Sequence, residues 1–330
     1  KFKKCAALLL VSSCLLTGCT TSSAKKVDSK YVVASLEKGN KTKNIFADNL
    51  YKDIIDNSSN NSTVFNAVLQ NLVDQKFPVN DDMKEDAATI IKQIKSAYKS
   101  NYGDNYKDSL NQALTSAGYK NLSEYRQKMI KQIQYANFLL DYIDDHFDDV
   151  FNDYYQQCAP KYVSLIKISV SDTSSPTDDE TSKLNEVKEL ISNTDKSFGD
   201  IAQDYSNDST SSKKGSLGIV DSKDTSGIAN SYGKDVFNAI EALSEGQVSD
   251  VITGDNGYYF VKVTSTDKKT LKKELKKTDI DSPLLAYDDY LQYVVYNSYK
   301  INYKDKDIKK IVQEVVNKAL EERKTERGEA

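Results

Sequence analysis

Residues 204–218 read DYSNDSTSSKKGSLG, and the rest of the chain can be interpreted only once the role of this stretch is known. Its serines, lysines and glycines fit a linker, a phosphate-binding loop or a loop over an active site. The pattern G-x-x-x-x-G-K-[ST] is absent from it, which excludes a P-loop. Residues 211–214 satisfy S-x-x-K, but no other element of a serine–lysine hydrolase accompanies them. The flanking sequence must therefore decide between a linker and an active-site loop.

The region around this stretch has the pattern of a small mixed domain. YVSLIKISV, at residues 162–170, is rich in β-branched side chains and is typical of a strand. Further along, the strand-like sequences VSDVIT and YYFVKV are joined by Gly-Asp-Asn-Gly at residues 254–257, which is typical of a hairpin turn. Helices are predicted between the strands, at residues 179–191, 198–205 and 232–243. These elements predict an α+β domain over residues 160–266.

Helical periodicity flanks this domain on both sides. Residues 44–159 carry apolar side chains at three- and four-residue spacing, most clearly in a helix that begins at Asn121. Residues 267–330 are also predicted to be helical, apart from a short strand at Lys300–Tyr303, and they end in a helix from Asp305. The predicted fold is therefore α+β, with helical N- and C-terminal regions around an inserted domain.

The first residues, KFKKCAALLLVSSCLLTGC, have the pattern of a leader sequence. A basic start precedes an apolar stretch that is too short to span a bilayer. The stretch ends in LTGC, which resembles the lipobox of bacterial lipoproteins. This resemblance implies a signal peptide over residues 1–18, lipidation of Cys19, and a location on the extracytoplasmic face of the cell membrane. Residues 19–43 would be a tether with a first strand at Tyr31–Val33. The alternative is an ordinary secretion signal that contains a cysteine.

Composition excludes several classes of function. The chain has 45 basic and 49 acidic residues and a net charge of −4, so it lacks the basic surface that nucleic-acid binding requires. It has a single histidine, His146, which excludes a multi-histidine zinc site. Only Cys158 follows the lipobox, so no disulfide framework is expected, and no CxxC metal pattern occurs. We therefore expect no metal, no cofactor and no nucleic-acid partner.

Four short sequence motifs of the mixed domain resemble motifs of the parvulin family of peptidyl-prolyl isomerases. They occur in the family's order and spacing over residues 161–266. Behind a lipobox and between helical regions, such a domain also resembles the layout of the PrsA-type foldase lipoproteins and of the related chaperone SurA. The four motifs are SFGDIAQDYSND (197–208), KGSLG (214–218), ALSEGQVSDVI (242–252) and NGYYFVKV (256–263).

The resemblance implies prolyl isomerisation, which needs no cofactor. The family's polar site commonly has two histidines on neighbouring strands and an Asp or Cys on the loop between them. At these positions the sequence has Lys167, Tyr259 and Asp208. The resemblance also implies a substrate-binding pocket for the proline ring, and the positions that match it are Leu217, Tyr232, Val236 and Phe237.

Both family histidines are therefore replaced, by Lys167 and Tyr259. The alternation along their strands predicts that both side chains point inward, where a lysine needs a partner. We expect a network of Lys167, Asp208 and Tyr259 that preserves the interior of the domain.

The resemblance implies a membrane-anchored foldase that assists unfolded or partly folded secreted proteins. The alternative is a holdase without catalysis, or a scaffold for one dedicated partner. A homodimer is left open.

Overall fold

The structure, a computed structural model, describes residues 26–27, 29–38, 41–276 and 278–329. The predicted signal peptide and Cys19 lie outside the described residues. The described chain divides into two compact units. One contains residues 90–113 and 140–288, and the other contains the described residues up to 89, residues 114–139 and those from 289 onward.

The predicted fold class is confirmed, since helical segments precede and follow a mixed domain with an antiparallel sheet. The strands are β1 (Lys26–Val27), β2 (Lys30–Lys38), β3 (Lys41–Phe46), β4 (Lys161–Ser169), β5 (Ser216–Val220), β6 (Ile252–Gly254) and β7 (Gly257–Ser265). The helices are α1 (Ala47–Ile55), α2 (Asn61–Lys76), α3 (Asp81–Tyr102), α4 (Tyr106–Ser116), α5 (Leu122–Asp145), α6 (Phe147–Cys158), α7 (Asp178–Asn193), α8 (Phe198–Tyr205), α9 (Ile228–Tyr232), α10 (Lys234–Ala242), α11 (Lys268–Leu275), α12 (Leu291–Ser298) and α13 (Lys306–Glu326).

The mixed domain is a four-stranded sheet in the order β5-β4-β7-β6, in which all neighbours are antiparallel. Its two faces carry separate apolar cores, because side chains alternate along a strand. Helices α9 and α10 cover one face, and α7 and α8 cover the other. On the first face the buried residues are Val163, Leu165, Val220, Ile228, Val236, Ile240, Tyr259 and Val261. On the second they are Ile166, Ile168, Leu184, Val187, Phe198, Ile201, Ala202 and Phe260.

Helix boundaries in this domain follow from local capping. The Thr177 hydroxyl and the Glu180 carboxylate form a capping box at the start of α7. The Ser197 hydroxyl accepts a hydrogen bond from the Asp200 amide and begins α8 at the predicted position. The helix predicted over residues 232–243 corresponds to α10, and Gly233, whose φ of +101° interrupts helical geometry, separates it from α9 before it.

Three predictions of local structure need correction. Lys300–Tyr303 form no strand among the described residues, and the Tyr303 hydroxyl instead hydrogen-bonds that of Tyr296 on α12. The VSDVIT strand is reduced to β6, because only Ile252–Gly254 pairs continuously with β7. The short strand at Tyr31–Val33 is part of the longer β2, which pairs with β1 and β3 in a three-stranded antiparallel sheet.

A buried hydrogen bond joins α6 to the mixed domain. The carboxylate of Asp221, which follows β5, is fully buried and accepts from the hydroxyl of Tyr154 at 2.8 Å. The Thr225 hydroxyl and the Lys223 amide donate to the same carboxylate. Asp221 therefore has the partners that a buried carboxylate requires. No helix in the described part of the chain is long and apolar enough to cross a membrane.

The serine-rich stretch is fixed against β4 by one close approach. Gly215 has φ of +75°, and a Cβ atom there would lie 2.5 Å from the Leu165 carbonyl oxygen and 2.8 Å from Ala202 Cβ. The Gly215 carbonyl also accepts a hydrogen bond from the Leu165 amide at 2.8 Å. Three residues later, Gly218 has φ of +82° but no heavy atom within 4 Å of its virtual Cβ. The stretch is therefore a docked loop and not a linker.

We predict that Gly215→Ala destabilises the protein much more than Gly218→Ala. Both variants place an L residue at positive φ, which costs about 1–2 kcal/mol. Only Gly215→Ala adds a collision with the backbone of β4, which raises its cost by a further ~1–3 kcal/mol. Urea unfolding of the full chain measures both, and equal losses would contradict the docked-loop interpretation.

Candidate functional site

The central strands β4 and β7 bring the predicted site residues to one end of the sheet. Their antiparallel register places Lys167 directly opposite Tyr259 and Leu165 opposite Val261. Directly opposed residues share a face of the sheet. Tyr259 is buried and Lys167 is part-buried, on the face that α9 and α10 cover. The inward orientation predicted from the strand pattern is what the structure has.

Lys167 and Tyr259 are joined by a residue of the hairpin turn. The Asn256 side-chain oxygen accepts from the Lys167 ammonium at 2.9 Å and from the Tyr259 hydroxyl at 3.0 Å. The ammonium also lies 5.6 Å from the centre of the Tyr259 ring, a favourable cation–π distance. Gly254 makes this arrangement possible, since a Cβ there would lie 2.7 Å from a ring carbon of Tyr259.

Asp208 lies in the loop after α8 and is held by its own neighbours. Its Oδ1 accepts from the Thr210 amide at 2.9 Å and the Thr210 hydroxyl at 2.8 Å. The Tyr232 hydroxyl donates to the same oxygen at a longer 3.4 Å. The loop is tied to β4 as well, because the Asn207 amide donates to the Lys167 carbonyl at 2.8 Å. Asp208 is therefore a fixed, part-buried acceptor at the edge of the site.

The predicted Lys167–Asp208–Tyr259 network is wrong in its connections. Among the described residues, Lys167 and Asp208 form no ion pair; Lys167 is bound by Asn256 and Asp208 by Thr210 and Tyr232. The two groups are linked by rings, since Tyr232 and Tyr259 make an edge-to-face contact with centroids 6.2 Å apart. Asn256 was not predicted as a site residue, because its Gly-Asp-Asn-Gly sequence indicates only a turn.

Both tyrosines of the site are neutral donors at neutral pH. Burial, followed by the charge of Asp208 and its hydrogen bond, raises the pKa of the Tyr232 phenol well above its usual value. Burial, followed by the charges of Asp208 and Asp255, also raises the pKa of Tyr259. The site therefore offers two un-ionised hydroxyls and one ammonium beside a carboxylate.

The apolar side of the site consists of three part-buried side chains over the first core. Leu217, Tyr232 and Phe237 pack against that core and keep part of their surface outside it. Val236, also predicted to bind substrate, is only 1% exposed. Its side chain supports the other three from beneath, because the helical geometry of α10 turns it into the core.

Other candidate catalytic groups named in the sequence analysis are paired with other residues or lie outside this site. The Lys214 ammonium is exposed and paired with Asp200 at 2.8 Å, so it is no base for a neighbouring serine. His146 lies exposed before α6 and stacks on Tyr142, outside the mixed domain. Within the described residues, no group of three or more His, Cys, Asp or Glu side chains has metal-binding geometry.

We predict that Asn256→Ala lowers the stability of the chain by about 1 kcal/mol, because two donors lose their shared acceptor. Asn256→Asp keeps an acceptor at the same place and should retain most of the wild-type stability. Asp255→Ala, at the exposed neighbouring turn residue, is the matched control. Urea unfolding measures all three. A loss for Asp255→Ala as large as for Asn256→Ala would contradict the bridging role of Asn256.

Comparisons with known proteins concern the family of the mixed domain. Residues 165–265 match the family model described as "Rotamase: PPIC-type PPIASE domain". The chain therefore contains a parvulin-type domain, as the four sequence motifs predict.

Curated relatives extend the match beyond the domain. The chain is 32% identical over 141 residues to "Foldase protein PrsA" of Staphylococcus epidermidis, and equally to that of Staphylococcus aureus RF122. Each alignment covers 41% of this chain and 41% of the relative.

Among solved structures, PrsA from Bacillus subtilis is similar at 21% identity with a TM-score of 0.39, over 86% of this chain and 98% of that one. The curated relatives confirm the expected resemblance to PrsA-type foldases over the aligned 41% of this chain.

Proposed function

We propose that this chain is a lipid-anchored foldase on the extracytoplasmic face of a bacterial membrane. Its parvulin-type domain accelerates cis–trans isomerisation of X–Pro bonds in unfolded or partly folded secreted proteins. The observation that carries the proposal is the site geometry inside a matched PPIC-type domain: three part-buried apolar side chains beside two fixed, neutral hydroxyls and the Lys167 ammonium.

Prolyl isomerisation requires an apolar, desolvating environment and no nucleophile. Resonance makes the X–Pro amide planar, with a rotation barrier of about 18–20 kcal/mol. Water hydrogen-bonded to the carbonyl oxygen stabilises the charge-separated planar form, so its removal favours the twisted form. The proline ring would lie on Leu217, Tyr232 and Phe237, whose partial exposure leaves an apolar surface for it.

The polar groups then position the substrate. Asn256 holds the Lys167 ammonium, which keeps two further N–H donors for a substrate, and the Tyr259 hydroxyl, whose one proton goes to Asn256 and whose oxygen can still accept. A pre-organised donor costs less entropy on binding than a mobile one. Asp208 fixes the Tyr232 hydroxyl and thereby the ring on which the proline packs. In this proposal Lys167 and Tyr259 take the places that the family gives to histidine, and Asp208 orients Tyr232.

The alternative, a holdase or scaffold without catalysis, is favoured by one observation. The polar side chains of the site satisfy one another: Lys167 and Tyr259 on Asn256, and Asp208 with Thr210. A site whose donors are already used has less to offer a twisted amide. Binding of extended polypeptide on the same apolar side chains would still follow from their exposure.

Lipid anchoring is supported by the LTGC word ending at Cys19 and by the basic, apolar leader before it. A diacylated cysteine supplies two chains, which is the number that stable anchoring requires.

The decisive variant is Phe237→Ala, which removes apolar surface from the proposed proline site. We predict that kcat/KM for prolyl isomerisation of a peptide by the mature chain falls about tenfold or more, while the urea midpoint falls no further than in the control variant, because both residues pack partly buried against a core. Tyr258→Ala is the matched control, since Tyr258 is a part-buried aromatic residue on the opposite face of β7. Wild-type turnover no faster than the uncatalysed reaction would instead support the holdase alternative.

A further inference from the structure

The segment from β1 to α1, residues 26–55, has no buried side chain among those that the structure describes. The first buried residue in the described part of the chain is Val64. Its β2 nevertheless pairs with two strands, and α1 packs against β2 and β3. Small sheets need a covered hydrophobic face to be stable in water. We name this segment the N-terminal sheet module; it lacks such a cover within its own residues.

Exposed apolar side chains are concentrated in this module. Tyr102 on α3 is the one large hydrophobic residue of this kind outside it among the described residues. Scattered single apolar residues on a surface are ordinary, but a concentration in one short segment marks an interaction surface. The module's exposed apolar residues are Val27, Tyr31, Val33, Leu50, Tyr51 and Ile54, each between 40% and 46% exposed.

The charge of the module is opposite to that of the chain. Residues 26–55 contain six lysines against four acidic residues, Asp28, Glu37, Asp48 and Asp53, a net charge of +2, whereas the whole chain has a net charge of −4. The surface that needs a cover is therefore the basic part of an acidic protein. A negatively charged partner is complementary to it, and a second copy of the same module is repelled.

The position of the module in the chain points to one such partner. Only residues 20–25 separate Cys19 from the start of β1. A span of this length extends at most about 25 Å. If Cys19 carries lipid, the module is held within that distance of the bilayer surface.

We propose that the N-terminal sheet module lies on the surface of an anionic membrane. Tyr31 and the exposed aliphatic side chains enter the interface, and the exposed Lys30 and Lys43 face the anionic headgroups, as in other interfacial segments. The module would thereby receive from the bilayer the cover that its own residues do not supply. That the module is held near the bilayer rests on the proposed lipid anchoring of Cys19. The affinity of the module for an anionic surface does not depend on that anchor.

Vesicle binding of the unlipidated mature chain, with Cys19→Ser, tests this affinity separately from the anchor. We expect co-sedimentation with vesicles of about one-third phosphatidylglycerol in phosphatidylcholine. Binding should be weak to pure phosphatidylcholine, and lost at about 0.5 M salt, where the Debye length is a few ångströms. Lys30→Gln with Lys43→Gln, both exposed, should weaken binding about 10- to 30-fold. Leu50→Gln with Ile54→Gln should weaken it several-fold without disrupting α1.

Matched controls separate the module from the rest of the surface. Lys310→Gln with Lys318→Gln removes the same charge from exposed positions of α13. Tyr102→Ser removes the exposed aromatic residue outside the module. Neither control should change vesicle binding, and circular dichroism should show that all variants are folded.

Several outcomes would overturn the proposal. They are absence of binding to anionic vesicles, and an equal loss in the Lys310 and Lys318 control. If the chain binds no vesicles but forms a dimer, and Leu50→Gln with Ile54→Gln converts that dimer to a monomer, the surface is an interface with a second copy of the chain. Loss of aggregation suppression without vesicle binding would assign it to polypeptide clients. Failure of prolyl isomerisation leaves the vesicle result unchanged, and the mass of the membrane-derived chain reports lipidation of Cys19 separately.

Discussion

The antiparallel register of β4 and β7 is the constraint on which the site depends. It places Lys167 opposite Tyr259, and the two-residue turn between β6 and β7 brings Asn256 to accept hydrogen bonds from both. A slip of one residue would move every side chain of a strand to the opposite face. Tyr259 would then leave the core under α9 and α10, and Lys167 would enter the core under α7 and α8. The apolar pattern of both faces therefore fixes the register and, with it, the site.

The serine-rich loop depends on the same strand. Gly215 lies so close to the Leu165 carbonyl that no side chain fits, and the Asn207 amide binds the Lys167 carbonyl. Asp208, between these two attachments, is held where it accepts from Tyr232. Loop, hairpin turn and α9 thus meet over one end of β4 and β7. We propose that Lys167 and Tyr259 take the places of the histidines that the family resemblance implies, within the framework that these contacts maintain.

Most helices and strands of the mixed domain could be predicted from the sequence, because local sequence signals determine where they begin and end. The Ser197 cap fixed the start of α8, and Gly254 to Gly257 fixed the hairpin. The errors concern partners that are distant in sequence. Asn256 is a site residue because the sheet brings its turn to Lys167, 89 residues away, and Val236 is buried because α10 turns it toward the sheet. Lys300–Tyr303 has strand composition but lacks a neighbouring strand, and the N-terminal sheet module has strands where a tether was expected.

The central claim is that the face formed by Leu217, Tyr232 and Phe237 binds an X–Pro segment and promotes its isomerisation. Exchange NMR of the mature chain with a proline peptide tests both parts in one experiment. The account predicts peptide-dependent shifts at these three residues and cis–trans exchange of the peptide that is faster than without protein. Shifts confined to the opposite face, around Tyr258, or binding that leaves the exchange rate unchanged, would contradict it.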